Sequence, residues 1–235
     1  GPGNVLLFTG YSNNVIGQIK PGSVVPDRTT ALEPLGVASS TGTLQFVPEG
    51  SPGEGRLKVA SYNASTWYDL PYSVDSNGLL VFGQATSPRV IGGGPEGIVF
   101  VQPGNPGFTT HSVLVCEYQG GRVVAYETDS NGDPIIATRR PFITGLTGAE
   151  GGTRDPRTGH FVFSTFGGGN RLIVVTGFNR GCPANFNGDC SVDDIDFVIF
   201  AQAYDLFLCD DPAMPAGCPP TSTTTASSTT SISWS

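Results

Sequence analysis

A short phrase, Gly94-Pro95-Glu96-Gly97, returns about 54 residues later as Gly148-Ala149-Glu150-Gly151, and a weaker form, Ser40-Thr41-Gly42, stands a similar distance upstream. The same parts follow each copy: a short strand, a Gly/Pro-rich loop, then a hairpin. Residues 42–48 parallel 97–103, and 56–62 parallel both 112–118 and 160–166. Turn signals recur as Asp75-Ser76-Asn77-Gly78 and Asp129-Ser130-Asn131-Gly132-Asp133, whose Asn-Gly core supplies positive φ. Repeats of this length built from three or four short strands are the signature of propeller blades. The chain therefore reads as mainly β, with about four blades over residues 5–35, 43–87, 98–144 and 153–178. The first lacks its inner strand and the fourth an outer strand, so the ring is expected to be open at both ends.

Composition fits a secreted β protein. Of 235 residues only 14% are charged, against about 25% in typical soluble domains, while Gly and Pro are plentiful and Met occurs once. The net charge of −8 argues against nucleic acid, whose phosphates call for clustered Lys and Arg. No apolar run approaches the roughly 20 residues of a membrane span. The sequence shows no signal peptide, but residue 1 is Gly rather than an initiator Met, which leaves room for a leader removed ahead of it.

Residues 185–196 place oxygen ligands where a twelve-residue calcium loop needs them. Ca²⁺ takes six to eight oxygens, and Asn185, Asn187, Asp189, the backbone carbonyl of Ser191, Asp193 (directly or through water) and Asp196 supply them. Asn at the first position removes a charge, and Cys190 stands where the sharp turn normally has Gly, so weaker binding is expected. The competing reading is an Asx-rich turn capping a helix. Val192, Ile195, Val198, Ile199 and Ala203 recur at three- and four-residue spacing and predict an amphipathic helix over 191–204.

Cys182, Cys190, Cys209 and Cys218 crowd around this loop, which in so small a module points to disulfides and an oxidising compartment. Cys209 with Cys218 and Cys182 with Cys190 are the preferred pairs among three connectivities. A zinc site is the rival, but there is no Cys-x-x-Cys and neither His111 nor His160 is near. Cys116 reads as a small buried core residue.

Three stretches, 129–134, 145–151 and 163–171, resemble secreted bacterial β-propeller proteins of the planctomycete type. Such proteins often end in a dockerin-like tail introduced by Cys-Pro-Ala-Asx-Phe-Asn-Gly-Asp, matched here by residues 182–189. The loop and helix resemble half of a type I dockerin, whose repeat ends in Asp at its twelfth position. The resemblance implies calcium binding and a cohesin-facing surface, although a complete dockerin has two such units and this chain has one. The expected organisation is a propeller over 1–180, a dockerin-like calcium unit over 181–220 and a Ser/Thr-rich tail over 221–235.

The tail would ordinarily be a disordered or glycosylated stalk. Thr is compatible with strands, however, and Ile232 and Trp234 alternate with Ser as in a half-buried strand. Such a strand closes this chain's own propeller or inserts into a neighbour's. The first functional expectation is thus an extracellular or cell-surface structural protein that assembles with itself by strand donation and calcium. A calcium-dependent module binding a glycan or a surface protein is the alternative, with Trp67, Tyr68 and Tyr72 as a sugar-stacking surface or, more simply, interblade packing. A metal-dependent hydrolase resembling the gluconolactonase propellers comes third. There Glu96 and Glu150 would line the channel, whereas the plainer reading has them accept backbone N–H bonds at the blade starts. No enzyme is expected, because Ser112 and Ser164 lack a nucleophile elbow and Gly167-Gly168-Gly169 reads as a hairpin turn. Asn63-Ala64-Ser65 is a lone glycosylation sequon.

Overall fold

The computed structural model describes residues 2–156, 158–178 and 194–205. The chain divides into one unit over Gly1–Arg180 and a second over Gly181–Ser235. The first is built from four antiparallel meanders in chain order. The opening sheet is β1(Leu6–Gly10), β2(Val15–Ile19) and β3(Arg28–Ala31). Next come β4(Thr41–Phe46), β5(Leu57–Ser61) and β6(Thr66–Asp69), then a separate hairpin, β7(Tyr72–Val74) with β8(Leu80–Phe82), before β9(Thr86–Val90) completes the second sheet. The third holds β10(Pro95–Val101), β11(Ser112–Glu117), β12(Arg122–Glu127) and β13(Arg140–Ile143). β14(Ala149–Arg154), β15(Phe161–Thr165) and β16(Leu172–Val175) form the last.

These sheets are blades. The first strands of successive sheets lie side by side, β4 next to β10 and β10 next to β14, while later strands pair outward in order. The expected repeat is therefore present, with one amendment: the Asp75-Ser76-Asn77-Gly78 turn belongs to the extra β7–β8 hairpin, so blade 2 ends at Val90, not at residue 87. Each inner strand opens with the same irregularity, at Thr41/Thr43, Pro95/Gly97 and Ala149/Gly152. An extra residue there kinks the strand and re-aims a side chain. The Gly before two of the three bulges is structural: Gly94 (φ 64°) and Gly148 (φ 62°) sit in left-handed backbone, and a Cβ on either would come within 2.8 Å of the ring of Tyr62 or Tyr118.

Three apolar layers fill the junctions. Ile16, Leu57 and Val59 share one, Trp67, Val113 and Val115 another, and Val123, Phe161 and Phe163 the third. Trp67 and Tyr68 are thus interior packing, and Tyr72 packs edge-on against Phe46 with centroids 5.5 Å apart, so the sugar-stacking surface is not formed. Cys116 is buried and unpaired, as expected.

A polar device recurs at the outer strands. Asp75 accepts the N–H groups of Asn77 and Leu79 through Oδ1 while Arg28 of β3 donates to its Oδ2 at 2.6 Å. One blade on, Asp129 accepts from Asn131 and Asp133 while Arg89 of β9 donates at 2.6 Å. Each Asp-Ser-Asn-Gly turn is thereby pinned to the preceding blade. Beneath the second pin, Lys58, Asp69 and Asp133 are all buried: Lys58 Nζ donates to Asp133 Oδ1 at 2.6 Å and to Asp69 Oδ2 at 3.0 Å, and Trp67 Nε1 donates to Asp133 Oδ1 at 2.9 Å. Arg89 lies 3.5 Å from Asp133 Oδ2, a charge contact without a hydrogen bond.

In the second unit, α1(Asp194–Asp205) occupies the span where a helix was predicted. Ile195, Phe197, Val198 and Phe200 are all exposed, so its apolar residues are not confined to one stripe. Among the described residues no helix is long and apolar enough to cross a membrane.

Candidate functional site

Strands corresponding to one another in the meanders can be aligned through their hairpins. Thr9↔Ile16, Ala60↔Trp67, Cys116↔Val123 and Ser164↔Leu172 are the matching pairs. By this alignment β1 corresponds to the second strand of a blade, like β5, β11 and β15. Blade 1 has no inner strand and blade 4 no outer one among the described residues, as the repeat predicted. One edge of β1 and one edge of β16 carry no strand partner there. An open edge is a row of unsatisfied backbone donors and acceptors, a template for an added strand.

The side chains at these ends break the burial pattern. Leu57 and Val59, Val113 and Val115, and Phe161 and Phe163 are each 0% exposed and face the preceding blade. Their counterparts on β1, Leu6 and Phe8, are 62% and 37% exposed. Facing the following blade, Ile16, Trp67 and Val123 are each 0% exposed, and their counterpart Leu172 is 76%. Val174, two residues on and on the same face, is 56% exposed. These four residues carry no mark of their own in the sequence. The parallel between 56–62, 112–118 and 160–166 extends to residues 5–11, and that extension is the signal that reveals them.

No family model matches the chain, and no curated protein is similar enough to count as a relative. Among solved structures it is similar to a chain of the mitotic checkpoint complex, at 11% identity over 74% of this chain and 48% of that one, with a TM-score of 0.43. A Lactobacillus plantarum protein is 13% identical over 76% of this chain and 55% of its own (TM-score 0.41), and the β-propeller domain of Myceliophteria thermophila Cps50 (Swd1) is 13% identical over 74% and 48% (TM-score 0.41). The chain spans about half the length of these structures. The blade assignment rests on its own sheet order.

The second candidate lies at the bulges, which set Glu96 and Glu150 on neighbouring inner strands. The expected backbone N–H bonds to these carboxylates are not found among the described residues, and Glu150 Oε2 is buried without a hydrogen-bond partner. Gly42 leaves room for Glu96, whose Oε2 would lie 3.0 Å from a Cβ there. Burial first, then the Glu150 charge, pushes the Glu96 carboxyl up to about 7, and burial also raises Glu150. Burial raises the neighbouring Cys116 thiol to about 12, with Glu150 and Glu96 adding to it, which leaves it unreactive. Two carboxylates are too few to cage a metal, and no group of three or more His, Cys, Asp or Glu suited to one occurs among the described residues. Two surface clefts, one bordered by Arg56, Asp69 and Tyr72 and the other by Thr147, Gly168 and Arg171, contain neither Glu96 nor Glu150. Ser112 Oγ donates to the Thr110 carbonyl and Ser164 Oγ accepts from Gly151 N–H, so both hydroxyls serve the backbone. Gly167 to Gly169 form the β15–β16 turn with positive φ throughout.

This pair has a measurable consequence. Below pH 4.5, the ordinary value for Glu, the Glu96 carboxyl is protonated whether the chain is folded or not, and the stabilisation is complete. As pH rises towards and through about 7, the folded protein must surrender a proton that the unfolded chain has already lost, and stability falls. Glu96→Gln removes that fall. The variant is expected to be more stable than the parent by about 1–2 kcal/mol at pH 8, after allowance for solvent screening at a half-buried site, and equal to it at pH 4, as read from denaturant midpoints.

Of the calcium loop, only Asp196 is among the described residues. It lies in the first turn of α1 and is 2% exposed. Asn185, Asn187, Asp189, Ser191 and Asp193 lie outside the described residues. So do the cysteines Cys182, Cys190, Cys209 and Cys218 and the tail residues Ile232 and Trp234.

Proposed function

We propose that this chain is an extracellular structural protein that assembles with copies of itself. The observation that carries this reading is that, among the described residues, β1 lacks the inner strand and β16 the outer strand that pair with their counterparts in the middle blades, at opposite ends of the blade order. In this reading residues 221–235 enter a neighbouring molecule as a strand, and Ca²⁺ held by Asn185, Asn187, Asp189, Ser191, Asp193 and Asp196 steadies the unit that carries the tail. Burial of Ile232 and Trp234 contributes roughly 2–3 kcal/mol each, and ladder hydrogen bonds add register and direction. Donation to an edge at the far end of a neighbour is a heterologous contact, so it propagates into a filament or tube unless its rotation closes.

Deleting residues 221–235 is expected to leave a folded, calcium-binding monomer, whereas the full chain forms particles visible by negative-stain electron microscopy. A truncated protein that assembles as the full chain does would sink strand donation. A monomeric full chain would favour a tail that closes its own propeller, with the protein acting as a calcium-dependent binding module for a glycan or surface protein. Chelation is expected to lower the melting temperature of the C-terminal unit while the propeller transition stays put, the difference following RT ln(1 + [L]/Kd). An unchanged calorimetric profile would remove the ion from the proposal.

A further inference from the structure

We infer that the two bare ends of the blade order are the two halves of one interface, and that a second copy of this chain occupies them: the Leu172/Val174 face of blade 4 seats on the Leu6/Phe8 face of blade 1 in the next molecule. This rests on the self-assembly reading and names its contact, which is made by side-chain faces and is separate from the strand edges.

The partner is identified by continuity. Three times within the chain the same two sets of positions meet: Ile16 with Leu57 and Val59, Trp67 with Val113 and Val115, Val123 with Phe161 and Phe163. The next member of the outgoing series is Leu172 and the member before the incoming series is Leu6 with Phe8. The four residues left over are apolar; Leu6, Phe8 and Leu172 match positions that are aliphatic or aromatic in the internal copies, while Val174 takes the place held by Gln18, Asp69 and Ala125. Phe8 is ready for such a partner: its ring lies over Gly17, where a Cβ would come within 2.1 Å of it. Both faces are exposed, so they do not cover each other within one chain, and a second molecule brings them together. A glycan would need polar recognition groups, and these positions have none. Each copy carries a net charge of −8, so the contact is expected to strengthen as salt screens that repulsion.

The test uses two full-length variants, Leu172→Glu and Leu6→Glu, at positions already exposed, with circular dichroism confirming that both fold as the parent does. By sedimentation velocity the parent is expected to be assembled and each variant alone to be monomeric. An equimolar mixture of the two should give a one-to-one dimer and nothing larger, because the intact outgoing face of one meets the intact incoming face of the other. Benzoylphenylalanine in place of Leu172 should cross-link to the peptide containing Leu6 and Phe8. Assembly of the variants as the parent, a mixture that stays monomeric, or a monomeric parent would each overturn the inference. If the face variants assemble normally while loss of 221–235 abolishes assembly, strand donation stands and this contact falls; the reverse pattern leaves this contact standing and removes strand donation.

Discussion

Asp133→Ala is expected to destabilise the propeller by about 3–5 kcal/mol, a large share of the roughly 5–15 kcal/mol that holds a domain together. The side chain is 0% exposed and its Oδ1 accepts from both Lys58 Nζ and Trp67 Nε1. Its removal strands an ammonium that is itself 0% exposed, with Asp69 as its remaining carboxylate, and leaves an indole N–H without a partner. Asp69 cannot compensate fully, because Arg56 also draws on its Oδ2. Replacing both ends of the pair, Lys58→Met with Asp133→Leu, is expected to recover much of the loss, since a buried ion pair costs desolvation at both ends that apolar side chains do not. Denaturant melts of the two single variants and the double variant give the coupling energy. Coupling near zero would show that the pair does not tie blade 2 to blade 3. The pair thus serves to lock the Asp129–Asp133 turn against its neighbour.

Phe161→Ala should cost about as much, 3–5 kcal/mol in the usual range for a buried aromatic. Phe161 is 0% exposed, with ring centroids 4.8 Å from Phe178, 6.0 Å from Phe142 and 6.3 Å from Phe163. This cluster lies in the apolar layer between blade 3 and blade 4. The melting temperature should fall by about 10 °C, given roughly 2–4 °C per kcal/mol for a unit of this size. Phe161→Leu, which keeps most of the volume, should cost less than about 1.5 kcal/mol. An alanine variant that melts within a degree or two of the parent would mean that the cluster collapses around the gap.

The blades were legible because strand repeats leave local marks. Alternation, Asn-Gly turns and the recurring glycines belong to short windows, and their physics is settled by neighbours in sequence. Residues 56–62, 112–118 and 160–166 align on residue pattern alone, and they form equivalent strands and turns. That blade 1 has no inner strand and blade 4 no outer one among the described residues could be read in the same way. The extra hairpin β7–β8 could not, because its turn carries the same Asp-Ser-Asn-Gly signal as the turn in blade 3 and only pairing distinguishes them.

The sites divide along the same line. Glu96 and Glu150 were visible as a repeat, but their role was not: local chemistry suggested backbone acceptors, whereas the bulges bring two carboxylates near each other on adjacent strands and burial raises both. Lys58 in the run Leu57-Lys58-Val59-Ala60 was a signal, a charge in an otherwise apolar strand, and its partner 75 residues away could be found only in three dimensions. By itself the sequence determined the repeat and the strand order, since each follows from residues close along the chain. Tertiary structure alone decided which apolar positions are covered. Leu57 and Leu6, or Val123 and Leu172, occupy equivalent places in their strands, and whether such a side chain is core or surface depends on the blade beside it.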